Sequence, residues 1–230
     1  MLDWQPKAPY TAEQLLEILR ILRDPENGCP WDKVQTHASI RKNFLEETCE
    51  ALEAIDADDP QLMQEELGDV LMQVAFHTCM EQETGRFTWE QVCDGVCQKL
   101  IERHPNIFGT QPGYEGITDW DALKNKEKGR RTLADDLESV PRAMPALMRA
   151  AKLQKRAARH GAALQGADAA ALADAAENLQ TAQPASAQAE QAVGELLFAA
   201  ANLAWQAGVD PEQALQKANE AFCTAAGPVA

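Results

Sequence analysis

Residues 44–74 read FLEETCEALEAIDADDPQLMQEELGDVLMQV, and two acidic motifs inside this stretch decide the fold. The first is Glu46-Glu47-x-x-Glu50, the second Glu66-x-x-Asp69. Helical residues three or four apart sit one turn apart on a shared face, so each motif stacks carboxylates. Between the motifs, Asp59-Pro60 supplies an N-cap and an N1 proline, the signal for a new helix. So short a connection makes the two helices antiparallel neighbours and gathers four or five carboxylates at one point. Two such charges about 4 Å apart repel by roughly 4 kcal/mol at an effective dielectric near 20. A hard divalent cation with oxygen ligands relieves that repulsion, with Glu47, Glu50, Glu66 and Asp69 as candidate ligands.

Acidic runs are more often solvated faces. Here the acids lack i+4 lysine partners, and Glu46 and Glu50 are themselves a like-charge i,i+4 pair. Gly68, inside the second motif, weakens a helix by about 1 kcal/mol relative to Ala. Its presence predicts close approach of a neighbouring helix.

Outward from this pair the periodicity stays helical, and no alternating run of β-branched residues appears. Thr11 with Gln14 forms a capping box before Leu15, Ile18, Leu19 and Leu22; Asp24-Pro25, Asn27-Gly28 and Pro30 then mark a loop. The second helix is expected over about 39–57, with Phe44, Leu52 and Ile55 on the side opposite its glutamates. The third is expected to reach about Glu83, with Leu67, Val70, Leu71 and Val74 as its apolar stripe. Thr88 and Gln91 cap a fourth, which stops at His104-Pro105. A Gly/Pro-rich loop (109–116) leads to a short charged helix over about 119–130, and 132–145 reads as a linker. Beyond it, a basic helix carries Arg149, Lys152, Lys155, Arg156 and Arg159 and ends at Gly161. Its cations are expected to face the protein's own acids or a partner subunit's. Residues 162–192 turn Ala- and Gln-rich with Pro184 interrupting, and helices resume over about 190–206 and 211–223.

The C-terminal half echoes the first. Gly68-Asp69-Val70-Leu71-Met72 parallels Gly194-Glu195-Leu196-Leu197-Phe198, while Glu47 and Glu50 map on Asp174 and Glu177. Ala192 stands for Glu66, Ala173 for Glu46 and Ala221 for Lys99, so the second copy is degenerate. The expected organisation is all-α with two tandem helical-bundle repeats: residues 1–131, a linker over 132–145, and a degenerate repeat over 146–230.

A net charge of −15 over 230 residues argues against a general nucleic-acid-binding surface, which would be basic, but not against phosphorylated small molecules screened by metal ions. The six cysteines lack paired zinc-type spacing, and Cys93 and Cys97, i,i+4, read as buried thiols. His37, His77 and His104 read as fillers of polar niches, since carboxylates already satisfy a hard metal. No stretch resembles a signal peptide and no apolar run reaches membrane-spanning length, so a reducing cytoplasm, with no membrane partner, is the expected home.

The acidic motifs also carry a family likeness. With Cys29-Pro30-Trp31-Asp32-Lys33-Val34-Gln35-Thr36-His37, Glu65-Glu66-Leu67-Gly68-Asp69 and Arg103-His104-Pro105-Asn106-Ile107-Phe108-Gly109, the chain resembles the MazG-type all-α nucleoside triphosphate pyrophosphohydrolases. The likeness is specific over residues 12–160 and thins over 161–230. It implies hydrolysis of a nucleoside triphosphate (NTP or dNTP) to monophosphate and pyrophosphate, with Mg²⁺ (Mn²⁺ as alternative ion), in a homodimeric bundle. Carboxylates that bind Mg²⁺ with phosphate oxygens would let so acidic a protein admit a triphosphate. Glu46 is the candidate general base, or orients a ligand. By the same likeness, Lys99 and Arg103, i,i+4, are expected to clamp phosphate. Trp120 reads equally as a nucleobase platform or as a packing residue, with Lys124 and Lys126 near phosphate in the first case. A catalytically inactive nucleotide- or protein-binding regulator of the same fold is the rival reading.

Overall fold

The computed structural model describes residues 4, 7–105, 107–109, 124, 125 and 127–227, and among them every regular element is helical. Two compact units divide the chain, Met1–Gly116 and Ile117–Ala230.

In the first unit, α1 (Ala12–Leu22) opens on the expected capping box: Gln14 N donates to Thr11 Oγ1 at 3.4 Å and Thr11 N to Gln14 Oε1 at 2.9 Å. After a 3₁₀ turn (Asp32–Val34) come α2 (Arg41–Asp56), α3 (Pro60–Glu83) and α4 (Trp89–Arg103). Asp59 caps α3 by accepting from Gln61 N at 2.9 Å and Leu62 N at 3.1 Å. α2 lies against α3, as the short connection dictates, and α1 also packs on α3. The core joins Leu16 and Leu19 of α1 and Ile40 to Ala75, Phe76, Cys79 and Met80 of α3. Arg23 ties these parts together. Its guanidinium forks onto Glu83 at 2.5 and 2.8 Å, donates to the Asp32 carbonyl at 2.7 Å, and lies over the Phe76 ring.

The apolar stripes expected on α2 and α3 do not form this core, and that expectation is corrected. Leu52 is 56% exposed and Leu67 52%, with Phe44, Ile55 and Leu71 exposed as well. α2 meets α3 through the small residues Ala51 and Ala54, one and two turns beyond Glu47 on the same face. Small side chains let the two helices approach, and the acid-bearing face goes inward with them. Gly68 also departs from expectation: among the described residues a Cβ built there meets nothing within 4 Å, so no close approach by them explains it.

The histidines do occupy a polar niche. His37 Nδ1 lies 2.7 Å from His77 Nδ1 and His37 Nε2 lies 2.6 Å from Glu81 Oε1, which also accepts from Arg86. Burial, followed by the His37 charge, holds His77 below the usual imidazole range.

The second unit contains α5 (Leu133–Glu138), α6 (Ala146–Arg159), α7 (Ala169–Thr181), α8 (Ala187–Gln206) and α9 (Pro211–Ala226). α8 packs against α6 and α7, α9 against α6 and α8, and α5 against α6. The stretch expected as a linker is folded into this unit, since it carries α5 with buried Asp136 and Val140. Asp136 draws two cations of the basic helix inward, Arg156 at 3.1 Å and Arg159 at 3.8 Å, with His160 at 3.2 Å. α7 arises inside the Ala/Gln-rich stretch, whose alanines favour helix and whose Asp168 caps it by accepting from Ala171 N at 2.8 Å.

Candidate metal centre

Antiparallel pairing of α2 and α3 sets Glu47 opposite the Glu66-x-x-Asp69 turn. Carboxylate oxygens of Glu47, Glu66 and Asp69 all lie within 4.8 Å of one another. All three side chains are half-buried, enough for partial desolvation while leaving a way in. Glu50 falls outside this three-oxygen group but acts on it. Burial first, then the charges of Asp69 and Glu50, push the Glu47 carboxyl above its ordinary 4.5, although Gln73 pulls the other way. Glu66 is pushed up as well, by desolvation and then by Glu50 and Glu65. Glu46 is exposed and outside the group.

Three hard oxygen donors converging from two helices, with mutual repulsion that a cation would relieve, suit a divalent ion. A glutamine, a residue the sequence did not single out, completes the surroundings. Gln73 is buried, and its Nε2 lies 3.5 Å from Glu47 Oε1. Its position four residues after Asp69 and seven after Glu66 puts it on their face of α3, a signal available in the sequence.

Lys99 and Arg103 stand one turn apart on α4, the lysine exposed and the arginine half-buried. Lys99 has no ion-pair partner among the described residues. Trp120 and Lys126 lie outside the described residues; Lys124 is half-buried in the second unit. In that unit Asp174, Asn178 and Glu195 line a 730 Å³ cavity between α7 and α8, with buried Ala192 near it on α8. Two carboxylates, Asp174 of α7 and Glu195 of α8, are among its lining residues.

The raised carboxyls carry a pH signature. A group with a raised folded-state value stabilises the fold fully below its unfolded value and loses that contribution as pH rises through the folded one. Without divalent ions, Glu47→Gln is therefore expected to melt above the wild type at about pH 7, the gap closing toward about pH 5. Saturating Mg²⁺ is expected to reverse the order at neutral pH, because the cation favours the ionised wild type. Thermal denaturation followed by far-UV circular dichroism checks both signs.

Comparison with known proteins gives the site a context. Residues 35–108 match the MazG nucleotide pyrophosphohydrolase domain, a span holding both acidic motifs and Gln73. Over 219 residues the chain is 42% identical to the nucleoside triphosphate pyrophosphohydrolase of Escherichia coli (strain K12), covering 91% of this chain and 83% of that protein. It is 38% identical over 218 residues to the nucleoside triphosphate pyrophosphohydrolase/pyrophosphatase MazG of Thermotoga maritima, covering 94% and 84%. A nucleoside triphosphate pyrophosphohydrolase of Mycobacterium tuberculosis is 34% identical over 154 residues, 65% of this chain and 46% of that one.

Proposed function

The chain belongs to the MazG family of nucleotide pyrophosphohydrolases, and on that premise we propose that it hydrolyses nucleoside triphosphates to monophosphate and pyrophosphate at the α2–α3 carboxylates of its first unit. The observation that carries this reading is the convergence of Glu47, Glu66 and Asp69. These three, joined by Glu50, hold Mg²⁺, and Mn²⁺ can replace it. The bound ion supplies charge neutralisation for the polyphosphate and a lowered pKa for attacking water.

The remaining work belongs to the chain. Water adds across the α–β phosphoanhydride: one phosphorus–oxygen bond forms, the bridging bond breaks, and pyrophosphate leaves. Glu46, next to Glu47 on α2, is the acceptor we assign to the proton released. Lys99 and Arg103 hold the phosphates. Broad specificity over NTPs and dNTPs is part of this reading. We place the protein in the cytoplasm, consistent with the absence, among the described residues, of any helix long and apolar enough to cross a membrane.

The test is a panel of NTPs and dNTPs with and without Mg²⁺, the products resolved by phosphorus NMR. Mg²⁺-dependent release of monophosphate and pyrophosphate is expected. Nucleotide binding without turnover would favour the regulatory reading, and release of orthophosphate would refute the bond assignment.

A homodimer accounts for the uncovered apolar face. Leu52, Ile55, Leu67 and Leu71 of α2 and α3 are exposed alongside Val96, Leu100 and Ile101 of α4. A second copy against this face also gives the open space beside Gly68 a purpose. Burying a leucine is worth about 1.5–3 kcal/mol. The double substitution Leu67→Asp/Leu71→Asp is therefore expected to raise the dimer dissociation constant at least a hundredfold, about 2.7 kcal/mol. Sedimentation equilibrium measures it, and an unchanged constant removes this face from the interface. The second unit is assigned as a non-catalytic packing copy, which its alanines at the Glu46, Glu66 and Lys99 positions support.

A further inference from the structure

Gln73 is buried to 6% exposure on α3, facing α2, and its terminal amide is half-satisfied. The nitrogen lies 3.5 Å from Glu47 Oε1, while the buried carbonyl oxygen has no hydrogen-bond partner among the described residues. Chemistry fixes which end is which. An ionised carboxylate only accepts hydrogen bonds, so the end toward Glu47 is the NH₂ and the orphan is the acceptor. Leaving a buried acceptor unpaired is costly, and a leucine of similar size would carry no such cost. A glutamine stands at a position where an apolar residue would pack with less penalty.

Two further facts connect the orphan to the carboxylates. Gln73 shares the face of α3 that carries Glu66 and Asp69, and it touches the one acid of the group that comes from α2. In the C-terminal echo, the residue after Gly194-Glu195-Leu196-Leu197-Phe198 is Ala199, fully buried. The copy that lacks the Glu66 carboxylate thus also lacks the amide.

We infer that Gln73 is a positioning residue of the metal centre: its NH₂ steers Glu47 toward the two α3 carboxylates, and its carbonyl accepts from water of hydration that enters with the cation. The inference rests on the carboxylates being cation ligands, as proposed above. Outer partners of this kind typically shift metal affinity by about ten- to a hundredfold.

The experiment uses the full chain without substrate, titrated with Mn²⁺ and followed by electron paramagnetic resonance of the free ion. Melting temperature in EDTA is measured on the same samples. Gln73→Leu is expected to bind Mn²⁺ about ten- to a hundredfold more weakly, with its EDTA melting temperature equal to or above that of the wild type. Gln73→Met, longer and more adaptable, serves if the leucine does not fold, with the same expectation. Equal Mn²⁺ affinity in wild type and variant overturns the inference alone. So does weakened binding accompanied by a matching fall in EDTA melting temperature, the mark of a merely structural role. A wild type that binds no Mn²⁺ overturns the carboxylate reading, and the inference with it.

Discussion

Asp69→Asn is expected to lower pyrophosphate release by about a thousandfold or more while leaving the helical content of the chain intact. Asparagine keeps the shape and one oxygen but gives up a charge from a group whose three members lie within 4.8 Å of one another. Ligand charge is what holds a hard cation against its own hydration, and losing several kcal/mol of charge stabilisation corresponds to about three decades in rate. The same substitution is expected to raise the melting temperature in EDTA, because it removes one of the repulsions that push Glu47 and Glu66 upward. Activity and cation-free stability thus move in opposite directions, which damage to the fold cannot imitate. Glu50→Gln separates two ligand sets. A comparable loss makes Glu50 a fourth ligand, whereas turnover within about tenfold of the wild type leaves it as an outer charge acting on Glu66. Coupled pyrophosphate detection, with circular dichroism as the folding control, reads both variants. Retained activity in Asp69→Asn refutes the proposed centre.

How much of this was legible beforehand depends on which residues are asked. Caps were readable because they are local: Thr11, Asp59 and Thr88 each begin a helix through hydrogen bonds spanning three residues or fewer. The convergence of Glu47, Glu66 and Asp69 was readable because a short connection forces α2 against α3. The direction of the apolar stripes was not. Periodicity separates two faces of a helix but cannot say whether the apolar one meets its own chain or another. Here alanines mediate the intramolecular contact, and the leucines at 52, 67 and 71 stay exposed. Gln73 shares the Glu66–Asp69 face by spacing, but a single neutral amide carries no charge pattern to single it out; its orphaned carbonyl emerges only in the folded structure. α7 was hidden in alanine-rich sequence, where helix propensity is high but no stripe marks which side packs. The segment 132–145 resembled a linker through its two prolines and short apolar pattern. Asp136, which folds it into the second unit, finds its cationic partners 20 or more residues later in the chain.

That aspartate supports the other large effect: Asp136→Ala is expected to destabilise the second unit by about 3–5 kcal/mol, the usual cost of stripping one partner from a buried ion pair. Asp136 is 1% exposed, and the Arg156 side chain that meets it is also buried. Arg156 Nη1 donates to the Asp136 carbonyl at 2.6 Å and to Ser139 Oγ, so its 3.1 Å approach to Oδ1 adds charge attraction to a bonded frame. Burial alone would raise the Asp136 carboxyl; Asn125, Arg156, His160 and Arg159 together outweigh it and hold the group below its ordinary 3.8. The sign follows from the depressed value. The contribution is present above the unfolded value and is lost as pH falls through the folded one, so in the wild type this unit should loosen only in acid. Alanine takes the Asp136 charge away from the buried arginine at every pH, and the loss appears already at neutrality. A compensating pair decides whether charge or shape is at stake. Asp136→Leu with Arg156→Met removes both charges at similar volume and is expected to recover most of the stability lost in the single variant. Differential scanning calorimetry of the full chain measures all three proteins. Equal melting of Asp136→Ala and wild type would mean that the cluster follows the fold of α5 and α6 and does not maintain it.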